Sequence, residues 1–387
     1  DYCRNKIKNH KILLMKKYKL LYFVSEDEYF LSHKIFQAKD ALKNKFDVMI
    51  ICNFTKYEKR IRSKGFKTQN INFNRKSINP INNITCLIRL LKIIHTFKPN
   101  IIQCFALKPI LITTIAAFFN KKIKVLCCVV GVGFLIINRS FFSNVIRECY
   151  FFLLKAFTMK NINYVFQNLD DLQFFEEKGL IKNNNVKIIK GSGVDTNFFK
   201  KGNNKKIYDL IFHSRILKDK GVLEIIDALK KLKKKQIILR VLILGNPDPK
   251  NFSSISFKQL NEWNDNKIII WKPRVTNVLP YLQKSKIAIL PSYREGLPRS
   301  LIEAASCELP IISTNVPGCK EICLDKFNGF LVKPKDAISL ARAIEKLVFN
   351  QEMIDKFGKN GRNHVVRNFG NKLVSKKFRE VYKSLLK

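Results

Sequence analysis

Acidic residues are scarce in this sequence beside its basic ones. Its 387 residues carry 30 Asp and Glu against 72 Lys and Arg, a formal charge of +42. That imbalance points to polyanionic company: nucleic acid, a phosphorylated ligand or an anionic membrane face. The crowding of Lys, Asn and Ile also fits an AT-biased genome, in which part of the charge is compositional. Cysteine pairs are missing too. Ten cysteines stand at 3, 52, 86, 104, 127, 128, 149, 307, 319 and 323, none at C-x-x-C spacing and several within apolar runs. This excludes a disulfide framework and reads as reduced, buried thiols of a cytosolic protein. The five histidines (10, 33, 95, 213 and 364) never fall at metal-ligand spacing, so no structural zinc site is expected.

Hydrophobic runs stop short of membrane length. The most apolar windows, 104–119 and 141–157, fall below the roughly 20 residues a spanning helix needs. Lys108-Pro109 interrupts the first, and Arg147, Glu148 and Lys155 the second. The N-terminus is basic and lacks the apolar core of a signal peptide. The start-like Met15-Lys16-Lys17-Tyr18-Lys19 leads us to expect residues 1–17 outside the fold. What remains is ample for globular structure: 46% hydrophobic residues exclude a disordered chain, and the length suits two or three domains.

Short apolar runs alternate with longer amphipathic segments. Strands are expected at 20–25, 47–52, 100–104, 123–130, 164–167 and 186–190, with helices at 32–44, 80–97, 141–158 and 170–178 and another running up to 119. After the polar stretch Gly202-Asn203-Asn204-Lys205-Lys206 the alternation restarts, with strands at 209–213, 237–244, 267–270, 287–291 and 310–313 and a helical tail from 336. Strands buried on both faces and separated by helices predict doubly wound parallel sheets. The expected division is a first domain over 18–200, a second over 201–370, and a last helix over 371–387 that can cross back to the first. Ligands in such α/β domains bind beyond the carboxyl ends of the strands, near helix N-termini.

One such loop stands out: Pro291-Ser292-Tyr293-Arg294-Glu295-Gly296-Leu297-Pro298-Arg299-Ser300-Leu301-Ile302-Glu303. Its Gly and Pro set a tight turn, and a helix begins near Arg299. The N–H groups from Leu297 to Leu301 are expected to be open to an anion. Glu295 and Glu303 bracket the turn. Carboxylates beside a phosphate-binding turn suit a ligand with hydroxyls as well as phosphates, as a nucleotide sugar has. The plainer alternative is a solvated loop carboxylate for Glu295 and a helix-end charge for Glu303.

Glu295 and Glu303, with seven residues between them, resemble the E-x7-E motif of glycosyltransferase family 4, retaining enzymes of α/β GT-B fold. Ser214-Arg215 followed by Lys218-Asp219-Lys220-Gly221 resembles that family's diphosphate clamp. Six further segments resemble its bacterial lipid-linked-oligosaccharide branch: Tyr29-Phe30-Leu31-Ser32-His33, Phe166-Gln167-Asn168-Leu169-Asp170-Asp171, Gly191-Ser192-Gly193-Val194-Asp195, Gly245-Asn246-Pro247-Asp248-Pro249-Lys250-Asn251, Ser254-Ile255-Ser256, and Val316-Pro317-Gly318-Cys319-Lys320-Glu321-Ile322. The resemblance covers about residues 18–370, and the nearest branch holds N-acetylgalactosaminyltransferases acting on undecaprenyl-diphosphate-linked sugars. It departs at Lys272-Pro273-Arg274, beside the nucleotide base, where relatives carry Gly-His-Arg. It departs again at Val129-Val130, before the Gly131–Gly133 loop, where a polar or acidic residue is usual.

The resemblance implies two facing Rossmann-like domains with a cleft between them. It also implies a catalytic set of Glu295, Arg215 and Lys220, and donor contacts from Gly296, Leu297, Pro298, Arg299, Ser300, Leu301, Glu303 and Arg274. The acceptor side would hold His33, Lys108, Gly131 and Gly133. Arg215 and Lys220 would take the diphosphate, Glu295 the sugar hydroxyls and Glu303 the ribose diol. With two cations and a helix end, no metal or cofactor is expected beyond the nucleotide sugar, which is a co-substrate. Arg215 as a surface base, Lys220 as a solvated helix-start lysine and His33 as a partner of Ser32 in a helix cap remain open. His213, at a strand end, reads as core.

The partners implied are a nucleotide sugar (UDP-linked by preference), a polyprenyl-diphosphate-linked saccharide and an anionic membrane surface, with the protein peripheral on the inner face of the cytoplasmic membrane. Residues 51–150 hold 17 Lys/Arg against the acids Glu58 and Glu148. A nucleic-acid-binding protein is the rival suggested by charge, but no nucleic-acid motif accompanies it. A non-catalytic sugar-nucleotide binder is the third reading. Gly191-Ser192-Gly193 lacks the rest of a dinucleotide fingerprint, and the run from Lys230 to Lys235 reads as a solvated helix end.

Overall fold

Seven parallel strands form the first sheet: β1 (Lys19–Glu26), β2 (Asp47–Asn53), β3 (Lys67–Asn70), β4 (Ile101–Phe105), β5 (Lys124–Val129), β6 (Ile162–Phe166) and β7 (Val186–Ile188). They lie in the order β3-β2-β1-β4-β5-β6-β7. This computed structural model describes residues 17–73, 80–132, 141–181, 185–249 and 251–387. Along β1 the side chains alternate between two apolar layers. Leu21 and Phe23 enter a core with the helices Pro80–Phe97, Leu107–Phe118 and Phe141–Phe157, while Leu20, Tyr22 and Val24 enter one with Ile35–Lys43. The period of two thus buries both faces.

A second sheet holds β8 (Tyr208–His213), β9 (Val241–Leu244), β10 (Ile270–Lys272), β11 (Ser285–Leu290), β12 (Ile311–Thr314) and β13 (Gly329–Val332), ordered β10-β9-β8-β11-β12-β13 and all parallel. Two strands escaped the sequence reading. β3, Lys-Thr-Gln-Asn, is polar and runs along an edge, so it has no apolar alternation to betray it. β13 follows a turn after a long loop. Conversely, residues 237–240 precede β9 instead of belonging to it.

The described chain divides into two compact units, one running up to Ile189 and taking in Val374–Lys387, the other Lys190–Leu373; residues 1–16, expected outside the fold, lie outside the described residues. The division falls earlier than the polar stretch at 202–206. Val194 donates to Phe369 O and accepts from Asn371 N–H, both at 2.9 Å, which ties the segment after β7 to the second unit. The last helix, Asn371–Leu385, puts Val374, Phe378, Val381, Tyr382 and Leu385 into the β1 core of the first unit. A buried polar network anchors it. The Tyr22 and Tyr382 hydroxyls lie 2.8 Å apart, Gln37 Nε2 donates to Tyr382 Oη at 2.8 Å, and Tyr382 donates to Gln103 Oε1.

Asp27, fully buried after β1, organises the next loop. It accepts from the Thr55, Lys56 and Tyr57 amides at 2.9, 3.1 and 2.8 Å and from the Thr55 hydroxyl at 2.9 Å. Burial pushes its carboxyl up, but these donors more than offset that and hold it below the usual range. A depressed carboxylate contributes stability above its unfolded value, near ~3.9, and loses it as pH falls through the lower folded value. Asp27→Asn is therefore expected to cost about 1–3 kcal/mol at neutral pH, with the gap to the parent closing in acid. Denaturant melts at both pH values check this; equal midpoints at neutral pH would show that the carboxylate contributes nothing.

Among the described residues no helix is long and apolar enough to cross a membrane, and no cluster of three His, Cys, Asp or Glu could hold a metal ion. The nine cysteines among the described residues are free, and all are buried except Cys149.

Candidate active site

In each sheet the strand order reverses beside the first strand of the unit, between β1 and β4 and between β8 and β11. Crevices open at the carboxyl edge of such switch points. In the second unit Arg215 follows β8, and the Glu295 loop follows β11 on the adjacent strand.

Lys218–Lys220 is one 3₁₀ turn ended by Gly221 at φ +77°. A Cβ there would meet Pro291 O at 2.2 Å, so a glycine lets the turn press its backbone against the loop after β11. The Tyr293 amide donates to Asp219 O at 2.9 Å and locks the two together. Gly318 (φ +79°) does the same from the far side, where a Cβ would lie 2.6 Å from Gly296 O.

These close approaches bring Lys220 Nζ to 2.5 Å from Glu295 Oε1, with Ser292 Oγ donating to the same oxygen at 2.8 Å. The two charged side chains are 11% and 13% exposed. That disposes of the solvated-lysine and solvated-carboxylate alternatives. Arg215 differs: it is half exposed, with Nη1 3.6 Å from Asp248 Oδ2, an ion pair at the rim.

Glu303 lies one turn into the helix Arg299–Ser306 and is equally enclosed. Arg299 Nε donates to Oε1 at 2.6 Å, and His213 Nε2 stands 3.4 Å from Oε2. Burial raises its carboxyl, but His213 and Arg299 outweigh it and hold the group below the usual range. His213 thus faces Glu303, a contact that reading it as core passed over. The signal was its place as the last residue of β8, directly before Ser214-Arg215.

The helix start is narrower as an anion site than the sequence suggests. Its N-cap, Pro298, gives no side-chain cap, but the Leu301 amide already donates to Pro298 O at 3.1 Å. Arg299 and Ser300 are the helical positions ahead of the first intrahelical bond. The Leu301 side chain is core, and Leu297 packs against that core. Gly296 and Pro298 shape the turn. Arg274 is exposed after β10, its amide held by Asn246 Oδ1 at 2.9 Å, while the Trp271 indole donates to Gly245 O at 2.9 Å. The turn after β10 is thereby tied to the Gly245 loop.

In the first unit, His33, Lys108 and Gly131 follow the neighbouring strands β1, β4 and β5 at one carboxyl edge. His33 lies in a π-helical turn, Phe30–Lys34, stacked on Tyr29 with centroids 4.7 Å apart and Nδ1 2.7 Å from Ser32 Oγ. Ser32 also donates back to Glu28 O at 2.7 Å, so it sits inside the helical stretch and caps nothing. Lys108 Nζ stands 5.1 Å over the Phe73 ring, and burial draws its ammonium below the usual range. Ala106, two residues before it, holds φ +72°, ψ 159°, a conformation that glycine prefers. Gly131 has φ +133°. Gly133 lies outside the described residues.

Residues 193–364 match the family model for glycosyl transferases group 1, and residues 19–167 that for glycosyl transferase 4-like domains. A capsular polysaccharide biosynthesis glycosyltransferase, CapM, of Staphylococcus aureus is 25% identical over 81% of this chain and 84% of its own. The N,N'-diacetylbacillosaminyl-diphospho-undecaprenol alpha-1,3-N-acetylgalactosaminyltransferase of Campylobacter jejuni is 25% identical over 90% and 94%. Among solved structures, Anabaena Alr3699/HepE in complex with UDP and glucose superposes with a TM-score of 0.76 at 14% identity, covering 95% of this chain and 100% of that one. A glycosyltransferase from Rickettsia africae gives 0.75 at 20%, covering 96% and 99%. With both family models matched in order across most of its length and GT-B neighbours in structure, this chain is a glycosyltransferase of GT-B fold, a glycosyl transferase 4-like domain followed by a glycosyl transferases group 1 domain.

Proposed function

We propose that the protein transfers a hexose or N-acetylhexosamine from a nucleotide sugar, UDP-linked, to a polyprenyl-diphosphate-linked saccharide in the assembly of a surface or glycoprotein glycan, with retention at the anomeric carbon. The observation that carries this is the enclosed Lys220–Glu295 pair at the β8/β11 switch point, a cation for phosphate beside an acceptor for hydroxyls. The acceptor class is supported by the Campylobacter relative and by an Escherichia coli galactosyltransferase whose name specifies a diphosphoundecaprenol substrate. UDP is supported by the HepE complexes.

In this reading Lys220 and Arg215 hold the diphosphate, joined by the backbone donors of Arg299 and Ser300. Phosphate oxygens would compete with Glu295 for Lys220, freeing the carboxylate to accept from sugar hydroxyls. Glu303, oriented by Arg299 and His213, accepts from the ribose diol. The bond from the anomeric carbon to phosphate oxygen breaks as the acceptor oxygen bonds to the same face, and the acceptor proton passes to the leaving phosphate oxygen. The growing charge on that group is what the two cations stabilise. On the acceptor side His33, Lys108, Gly131 and Gly133 take part, with the protein peripheral on an anionic membrane face.

A panel of UDP- and GDP-sugars with polyprenyl-diphosphate acceptors tests the whole reading; a donor that binds with no transfer to any acceptor would favour a non-catalytic binder, and DNA binding alone the nucleic-acid reading. Two outcomes are specific. The product of an α-linked donor is expected to be α-linked by proton NMR, and a β coupling would overturn the front-face route. Turnover is expected to persist in EDTA, since Lys220 and Arg215 supply the positive charge; complete loss restored by Mg²⁺ or Mn²⁺ would sink that assignment.

A further inference from the structure

Two helices of the first unit are apolar on the face they turn away from the core. On Phe141–Phe157 the inward residues Tyr150, Phe151 and Leu154 are buried, yet Phe141, Val145, Cys149, Phe152 and Ala156 recur at helical spacing along the exposed side. Phe141 is 85% exposed and Phe152 71%. On Pro80–Phe97, Cys86, Leu90, Ile93 and Ile94 are buried while Ile81, Ile84 and Ile88 form an exposed stripe, Ile81 at 68%. Both helices pack against Leu107–Phe118, one on either side, so the stripes belong to one helical layer. Side-chain burial in the unit cannot account for them, and together they exceed the scattered apolar residues a surface ordinarily carries.

The layer also has an end. Each of these helices runs between parallel strands and starts at their carboxyl edge. Phe141 and Val145, and Ile81 and Ile84, therefore stand at the end of the layer where His33, Lys108 and Gly131 emerge.

Charge selects the occupant. Arg89 and Lys92 are exposed on the first helix and Lys155 on the second; Glu148, the one acid on the second, is paired with Arg147 at 3.2 Å. Residues 51–150 carry 17 Lys/Arg against two acids, and the whole chain +42, so a second copy placed face to face would be repelled. Apolar side chains ringed by unpaired positive charge suit the boundary between headgroups and acyl chains of an anionic bilayer.

We propose that the exposed stripes of Pro80–Phe97 and Phe141–Phe157 are the membrane-docking surface, their apolar side chains inserting below anionic headgroups. This rests on the lipid-linked acceptor reading, whose substrate would then meet the strand carboxyl edge directly from the bilayer. Cys149, the one exposed cysteine among the described residues, lies on the stripe and serves as a reporter. Full-length protein carrying Cys3→Ser, labelled at Cys149 with an environment-sensitive fluorophore, is mixed with phosphatidylglycerol-containing vesicles or with phosphatidylcholine vesicles. Flotation with the anionic vesicles and a blue shift of the label are expected, with neither for phosphatidylcholine. F141S/V145S/F152S, and separately I81S/I84S/I88S, should each weaken partitioning at least about tenfold while leaving the melting temperature unchanged. Anionic-vesicle binding undiminished in both variants, flotation without a blue shift, or a dimer abolished by the same substitutions with no vesicle binding would each overturn the proposal. Transfer to a polyprenyl-diphosphate-linked saccharide presented in detergent micelles, measured on the same preparations, separates this from the function itself: its absence in the parent would fell the acceptor reading, whereas vesicle binding lost in the parent with micellar transfer intact would fell the docking surface alone.

Discussion

Glu295→Ala is expected to slow transfer about 30- to 1000-fold, the rate equivalent of losing about 2–4 kcal/mol of transition-state stabilisation in an enclosed site. The size follows from the surroundings of the carboxylate. It is nearly buried, it receives Lys220 and Ser292 on one oxygen, and its backbone is held by Pro317 O and by the contact with Gly318. Removing it leaves Lys220 without its partner, so Lys220→Ala is expected to be costly too. Because the two side chains touch, the double variant should be less impaired than the product of the single effects. Steady-state rates at saturating and limiting donor, with melting curves to show that each variant folds, make the measurement. Glu295→Ala turning over at the parent rate would remove it from the catalytic set. Glu303→Ala should act differently, raising the donor KM more than it lowers kcat, if its role is to hold the ribose.

Phe378→Ala is expected to destabilise the first unit by about 3–5 kcal/mol, among the largest effects a single truncation produces. Phe378 lies on the last helix, 2% exposed, within the core built on Leu20, Tyr22 and Val24. Its loss opens a cavity between that helix and β1. Tyr382→Phe tests the neighbouring polar contacts. It keeps the ring but removes the hydroxyl that meets Tyr22, Gln37 and Gln103, and about 1–3 kcal/mol should go with it. Denaturant unfolding followed on the first unit measures both. A Phe378→Ala midpoint equal to the parent's would mean that the helix does not carry the packing assigned to it.

Much of the architecture is legible in the order of residues. The alternation of apolar runs with amphipathic segments specifies parallel sheets, because a strand covered on both faces cannot alternate with polar residues, as in Leu20–Val24 by position and Val241–Leu244. The polar edge strand β3 leaves no such trace, since an edge has little to bury. The local features of the candidate site are legible too: a Gly-Pro turn ahead of a helix, two carboxylates around it, and Arg and Lys after β8. Each belongs to a short stretch in which spacing and geometry are coupled through the backbone.

What the tertiary structure decided is which of those features meet. Lys220 and Glu295 are 75 residues apart, and nothing in either stretch reveals that the backbone at Gly221 passes close enough to Pro291 to join them. The partnership of His213 with Glu303 is likewise a distance through space between segments remote in the chain, and so is the β1 core that receives the last helix, whose crossing back the sequence reading allowed without naming its partners. The exposed stripes on the helices Pro80–Phe97 and Phe141–Phe157 make the same point. Read along the sequence, both helices are simply apolar; whether a given Phe or Ile faces the core or the surroundings is settled by which side of each helix the sheet covers. Composition and periodicity determined the elements and their class, while the chemistry and the docking face depended on long-range packing, because hydrophobic burial says that a side chain must be covered without saying by what.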